Sequence, residues 1–125
     1  LQPPLRDIRA APPPARGLKW RVMPYLAEYS MHDARIEVEG KDGFVYIRGT
    51  LTRKTAGRGT LLMGADGPFK VWVNGKEAGA VPAKGNPCTP DEFRFPVTWK
   101  KGANAVVVAL GSNKGNAWGI VVRGQ

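Results

Sequence analysis

A flat aromatic face beside amide and cationic side chains is the chemistry of sugar recognition, and this chain carries the parts for it. Trp118 follows the loop "SNKGN", which supplies Asn113 and Asn116. Tyr46 and Arg48 alternate on one predicted strand, with Trp72 on another that can share their face. Tyr29, Asn86 and Arg123 complete the candidate ligand-binding set. Aromatic rings stack on sugar C–H faces, amides bond hydroxyls, and guanidinium groups hold carboxylate or sulfate by charge-assisted hydrogen bonds. Each residue has a plainer role: Trp118 as rim packing, the asparagines as turn formers, Tyr46 and Arg48 as a cross-strand cation–π pair.

Catalytic chemistry is harder to assemble. Glycoside hydrolysis needs two carboxylates roughly 5–10 Å apart. Asp91 and Glu92 are adjacent and would point opposite ways on a strand, while Asp66 and Glu77 merely flank a hairpin. Ser30, His32 and Asp33 cluster in sequence without a nucleophile elbow. No enzyme activity and no catalytic residue is expected. Cys88 is the one cysteine and His32 the one histidine, so no internal disulfide can form and no metal site is expected.

The net charge is +9, from 19 Lys and Arg against 10 Asp and Glu. Such a balance attracts polyanions: nucleic acid, acidic lipid headgroups, or carboxylated and sulfated polysaccharide. The basic residues look scattered, the longest runs being the pairs Arg53-Lys54 and Lys100-Lys101. A nucleic-acid arm would be denser, and no RNP, KH or helix-turn-helix pattern accompanies them. No apolar run approaches the ~20 residues of a membrane-spanning helix, and no membrane insertion is expected.

The elements that must position these residues are strands. Residues 1–17, "LQPPLRDIRAAPPPARG", read as a proline-rich linker or surface arm, and 18–125 as one domain. "LKWRVM" and "RIEVEG" read as strands, with "PYLAEYSMHDA" between them open to a helical turn or a loop. "FVYIRGTLTRK" places Val45, Ile47 and Leu51 on one face and Tyr46, Arg48 and Thr50 on the other. "TLLMG" reads as a short central strand. "PFKVWVN" puts Phe69, Val71 and Val73 on one side and Trp72 opposite, and Asn74-Gly75 predicts a type I′ hairpin. The proline-containing loop 81–92 precedes the strands "FRFPVTW" and "NAVVVALG", joined by the "KKGAN" turn, and "AWGIVVR" closes the chain. The pattern predicts an all-β, jelly-roll-like β-sandwich of about eight or nine mostly antiparallel strands.

The succession "DGPFKVWVNGKEAG", "PDEFRFPVTWKKGANAVVVAL" and "AWGIVVR" resembles the jelly-roll sugar-binding domains of the galactose-binding-like superfamily, across roughly residues 43–123. Such domains accompany glycoside hydrolases. The resemblance implies a non-catalytic carbohydrate-binding module of a larger secreted polysaccharide-active enzyme, extracellular or periplasmic. Its partners would be a polysaccharide or oligosaccharide, anionic given the charge, and other domains of the same polypeptide; a monomer is expected. Many relatives carry a structural calcium; no clear counterpart of that loop stands here, and no cofactor is expected beyond the structural calcium that the resemblance leaves open. The alternatives are a structural accessory sandwich packed on a catalytic domain without binding sugar, and a nucleic-acid-binding β domain.

Overall fold

The computed structural model describes residues 31–33, 44–111 and 119–125. They form eight strands: β1 (Met31–Asp33), β2 (Phe44–Arg53), β3 (Gly57–Ala65), β4 (Phe69–Val73), β5 (Lys76–Val81), β6 (Phe93–Trp99), β7 (Gly102–Gly111) and β8 (Gly119–Gly124). One four-stranded sheet runs β1-β8-β3-β6 and the other β2-β7-β4-β5, with every pairing antiparallel. The all-β sandwich expected from the alternating pattern is the observed architecture. The predicted strands "LKWRVM" and "RIEVEG", the arm 1–17 and its boundary at residue 18 lie outside the described residues.

Period-two alternation builds the interior. Ile47 and Leu51 of β2, Val106, Val108 and Leu110 of β7, and Phe69, Val71 and Val73 of β4 supply one wall. Leu61, Met63 and Ala65 of β3 meet them from the other sheet, with Ile120 and Val122 of β8 and Trp99 of β6. Phe69 joins the layers, its ring edge-on to Phe93 at 5.4 Å and Phe95 at 6.0 Å. Pro96 sits on β6, an edge strand, where a missing N–H breaks no ladder.

Three local differences from the sequence pattern have physical causes. Met31–Asp33, left open between helical turn and loop, is a strand because β8 offers it a free edge: Met31 pairs with Val121 and Asp33 with Gly119. β3 begins at Gly57, inside the predicted "TAGRG" turn, because Gly57 pairs with Trp99 and a side chain at Gly59 would collide with the Trp99 indole. β7 likewise starts at Gly102, opposite Arg53. The Asn-Gly hairpin is as expected, with Asn74 at φ 51° and Gly75 at φ 80° between paired Val73 and Lys76.

Antiparallel alternation sends successive connections to opposite ends of the sandwich. The β2–β3, β4–β5 and β6–β7 turns therefore share one end, and the loop 82–92 lies at the other.

A candidate polyanion-binding end

The shared end is held by two asparagines. Asn104 is fully buried. Its amide nitrogen donates to the carbonyls of Leu51 (3.3 Å), Lys100 (2.9 Å) and Gly102 (3.1 Å). Its Oδ1 accepts from the Lys100 amide and from Asn74 Nδ2, both at 2.9 Å. Asn74 in turn accepts from the Ala105 amide at 2.9 Å and donates its own N–H to the Ala105 carbonyl at 2.8 Å. One buried amide thus joins β2, the "KKGAN" turn and the Asn-Gly hairpin. Gly102 at φ 89° gives the turn a left-handed backbone that a side chain would strain.

This framework brings cations together that are far apart in sequence. Arg53 pairs with Gly102, so the Arg53-Lys54 and Lys100-Lys101 doublets lie side by side. Arg58 is opposite Thr98 on the neighbouring sheet, and Lys76 follows the hairpin turn bonded to Asn104. Arg53 lies over the Trp99 ring, 5.4 Å from its centroid, and Trp99 is anchored through Nε1 to the Gln125 carbonyl at 3.3 Å. Lys54, Arg58, Lys76, Lys100 and Lys101 are all exposed.

The pairing of charges separates this end from the rest. Lys70 bonds Glu77 at 2.7 Å and sits 5.6 Å above the Trp72 ring. Lys84 pairs with Glu92, and Arg123 with Asp91. Arg94 reaches the Gln125 side chain, and Arg48 is engaged as well. Among the described residues, Lys54, Arg58, Lys76, Lys100 and Lys101 have no such partner, and all lie at the shared end. Uncompensated like charges raise the local potential and attract an anion. The sequence looked scattered because its two dibasic pairs belong to different turns. Only the β2–β7 register makes them neighbours, and the pairs themselves were the signal.

A cleft of about 350 Å³ opens beside this end, where edge strands β5 and β6 of the two sheets approach. Arg58 and Lys76, from different sheets, both line it, with Val73, Ala78, Pro96 and Val97 as apolar wall and Thr98 as a hydroxyl. Glu77 also lines it, but its carboxylate is bonded to Lys70.

Of the residues singled out for sugar contact, the described ones fall on different parts of the fold. Tyr46, Arg48 and Trp72 do share the outward face of one sheet: Arg48, Val107 and Trp72 form one cross-strand row, and Tyr46, Ala109 and Lys70 the next. Arg48 is exposed and Tyr46 half-buried, with burial pushing the Tyr46 phenol pKa up. Trp72, however, is only 4% exposed although it faces away from the interior. Its nearby cation is Lys70 of its own strand, and the ring packs rather than lining an open groove. Asn86 is exposed in the loop 82–92, not on the strands of that face. Trp118, Asn113, Asn116 and Tyr29 lie outside the described residues.

Arg123 clamps that loop to β8. Its Nε bonds Asp91 Oδ1 at 3.0 Å and its Nη2 bonds Oδ2 at 2.8 Å, a two-pronged pair across 32 residues. A side chain at Gly64 would collide with the Thr89 carbonyl, so the loop lies directly on β3. The hydrogen bonds and charge of Arg123 hold the Asp91 carboxyl below its usual 3.8. A depressed folded-state pKa contributes stability above pH 3.8 that is lost as pH falls through the folded value. The melting-temperature difference between the parent and Asp91→Asn should accordingly be present at pH 6 and vanish in strong acid; a constant difference would refute the clamp. At the far end, Asp66 is buried and accepts the Gly119 amide at 2.9 Å. Asp91 sits in a turn and Glu92 in the residue before β6, outside any strand, each on its own cation. Burial and the neighbouring carboxylates push the Cys88 thiol up to about 11, which suppresses its reactive thiolate at neutral pH.

No protein-family model matches the chain. No curated protein matches it either. Among solved structures, it is similar to β-glucosidase from Kluyveromyces marxianus. The selenomethionine-labelled form aligns at 18% identity over 69% of this chain and 11% of that one, with a TM-score of 0.50. The glucose complex aligns at 19% identity over 66% and 10%, with a TM-score of 0.49. The chain therefore spans about a tenth of those enzymes. At this identity the likeness is one of fold, to a small part of a glycoside hydrolase. Membership of the galactose-binding-like superfamily stays a resemblance carried by the quoted motifs.

Proposed function

We propose that the domain is a non-catalytic accessory module of a larger secreted carbohydrate-active enzyme, and that it binds anionic polysaccharide through its basic end. The observation that carries this proposal is the gathering of Lys54, Arg58, Lys76, Lys100 and Lys101, without carboxylate partners among the described residues, on the turns and strand starts of one end. The fold's likeness to a tenth of a β-glucosidase supports an accessory placement. Asp66, Glu77, Asp91 and Glu92 are each engaged by a backbone amide or a cation, which argues against a carboxylate pair poised for hydrolysis. Tethering an enzyme to its polymer raises the local substrate concentration without any new catalytic group.

Native affinity electrophoresis tests the proposal. Gels containing alginate, pectin or carrageenan should retard the domain relative to a polysaccharide-free gel. Added salt should weaken the effect, since the cations are exposed and screened within roughly 8 Å at physiological ionic strength. Substituting Lys54, Lys100 and Lys101 together by Gln should reduce retardation. Mobility unchanged across all the acidic polymers overturns the proposal and leaves the structural accessory role.

A further inference from the structure

We propose that the β5–β6 cleft is the subsite that holds one acidic sugar unit of the polymer, its carboxylate or sulfate bridging Arg58 and Lys76. The inference rests on the polysaccharide-binding reading above. Arg58 belongs to β3 and Lys76 to β5, so the two cations that line the cleft come from different sheets. Each is held in place within its own sheet: Arg58 by its register with Thr98, Lys76 by its pairing with Val73 beside the Asn-Gly turn. A guanidinium offers a planar fork to an oxyanion and an ammonium a compact point charge, so the pair can hold one oxyanion from two directions.

The remainder of the cleft suits a sugar ring better than a bare anion or a nucleobase. Pro96, Val97, Val73 and Ala78 give an aliphatic wall for the apolar side of a ring, and Thr98 offers a hydroxyl. The volume, about 350 Å³, falls at the small end of ligand clefts, which span roughly 300–1,000 Å³. Among the described residues no aromatic side chain lines it, so they offer no platform on which single-stranded nucleic acid could stack its bases. Glu77 would repel an anion if it were free, but Lys70 holds its carboxylate at 2.7 Å. Lysine on an edge strand also has a protective role, blocking strand-to-strand association. Lys76 stands at such an edge, and the test has to separate the two roles.

The experiment compares the parent, Arg58→Gln, Lys76→Gln, the double variant, and a control triple variant Lys54→Gln/Lys100→Gln/Lys101→Gln. Each is run in alginate, pectin and carrageenan gels and titrated with an oligogalacturonate, a sulfated galactan oligosaccharide and a neutral galacto-oligosaccharide. The double variant should bind a short acidic oligosaccharide about tenfold or more weakly, because both charge-assisted contacts are lost. The control should lose retardation by the long polymers while keeping most of its affinity for the short ligand. The galacturonate and sulfated arms decide which oxyanion the cleft takes. If the parent is retarded but the double variant binds short oligosaccharides as the parent does, the cleft assignment fails while the binding function stands. If the parent binds no acidic polymer, both fail. Tighter binding of a single-stranded oligonucleotide than of any oligosaccharide overturns the sugar assignment. Dimerisation of Lys76→Gln with unchanged oligosaccharide affinity assigns Lys76 to edge protection and overturns its role in the subsite.

Discussion

Phe69→Ala should be the most destabilising single truncation in the described core, costing about 4 kcal/mol. Phe69 is fully buried, and its ring meets Phe93 and Phe95 edge-on from the opposite sheet. Removing it leaves a cavity between the layers that paired strands cannot collapse to fill. It also forfeits two aromatic contacts, each worth roughly 0.5–1.5 kcal/mol beyond area burial. Phe69→Leu retains most of the volume and should cost about half as much or less. Urea unfolding followed by tryptophan fluorescence measures both. A loss below about 1 kcal/mol for Phe69→Ala would mean that the sheets do not pack through this ring.

Asn104→Ala should follow closely, at about 3 kcal/mol, and it should also weaken polyanion binding. The Asn104 amide donates to three carbonyls and accepts two N–H groups inside the fold. Alanine would strand those groups away from water, where each unmet partner carries a desolvation penalty. Asn104→Asp separates donor from acceptor roles: the carboxylate can still accept from Lys100 and Asn74 but cannot donate to Leu51, Lys100 or Gly102. It should therefore be destabilised as well. The Lys100-Lys101 turn and the Lys76 hairpin both hang from this amide, so loosening it disperses the cations and should reduce retardation at temperatures where the variant stays folded. Full retention of both stability and retardation in Asn104→Ala would show that the network is dispensable.

The sheets were legible in the sequence because their signals are local. Alternation in "FVYIRGTLTR" separates Ile47 and Leu51 from Tyr46 and Arg48, and the structure buries the first pair while Arg48 stays exposed. Asn-Gly selects its turn through two positive φ angles, which the backbone shows. The sequence also marked "KKGAN", which contains Gly102 and Asn104, as a turn. What it hid is that Asn104 reaches 53 residues back to Leu51 and 30 back to Asn74. Local pattern carries no information on such partners.

Trp72 shows the same boundary from the other side. Parity alone places it opposite Phe69, Val71 and Val73, on a face shared with Tyr46 and Arg48. Parity cannot say whether that face is covered, and at 4% exposure the indole is enclosed.

By itself, then, the sequence determined the strand pattern, the Asn-Gly hairpin, the inward faces and the excess of positive charge, since each depends on residue type and short spacing. Tertiary structure alone decided where that charge lies. Register sets Arg53 against Gly102 and Arg58 against Thr98, and antiparallel alternation sends the three turns to one end. Cations scattered over nearly fifty residues become a single basic surface because strand pairing, not chain proximity, fixes which side chains feel one another's field.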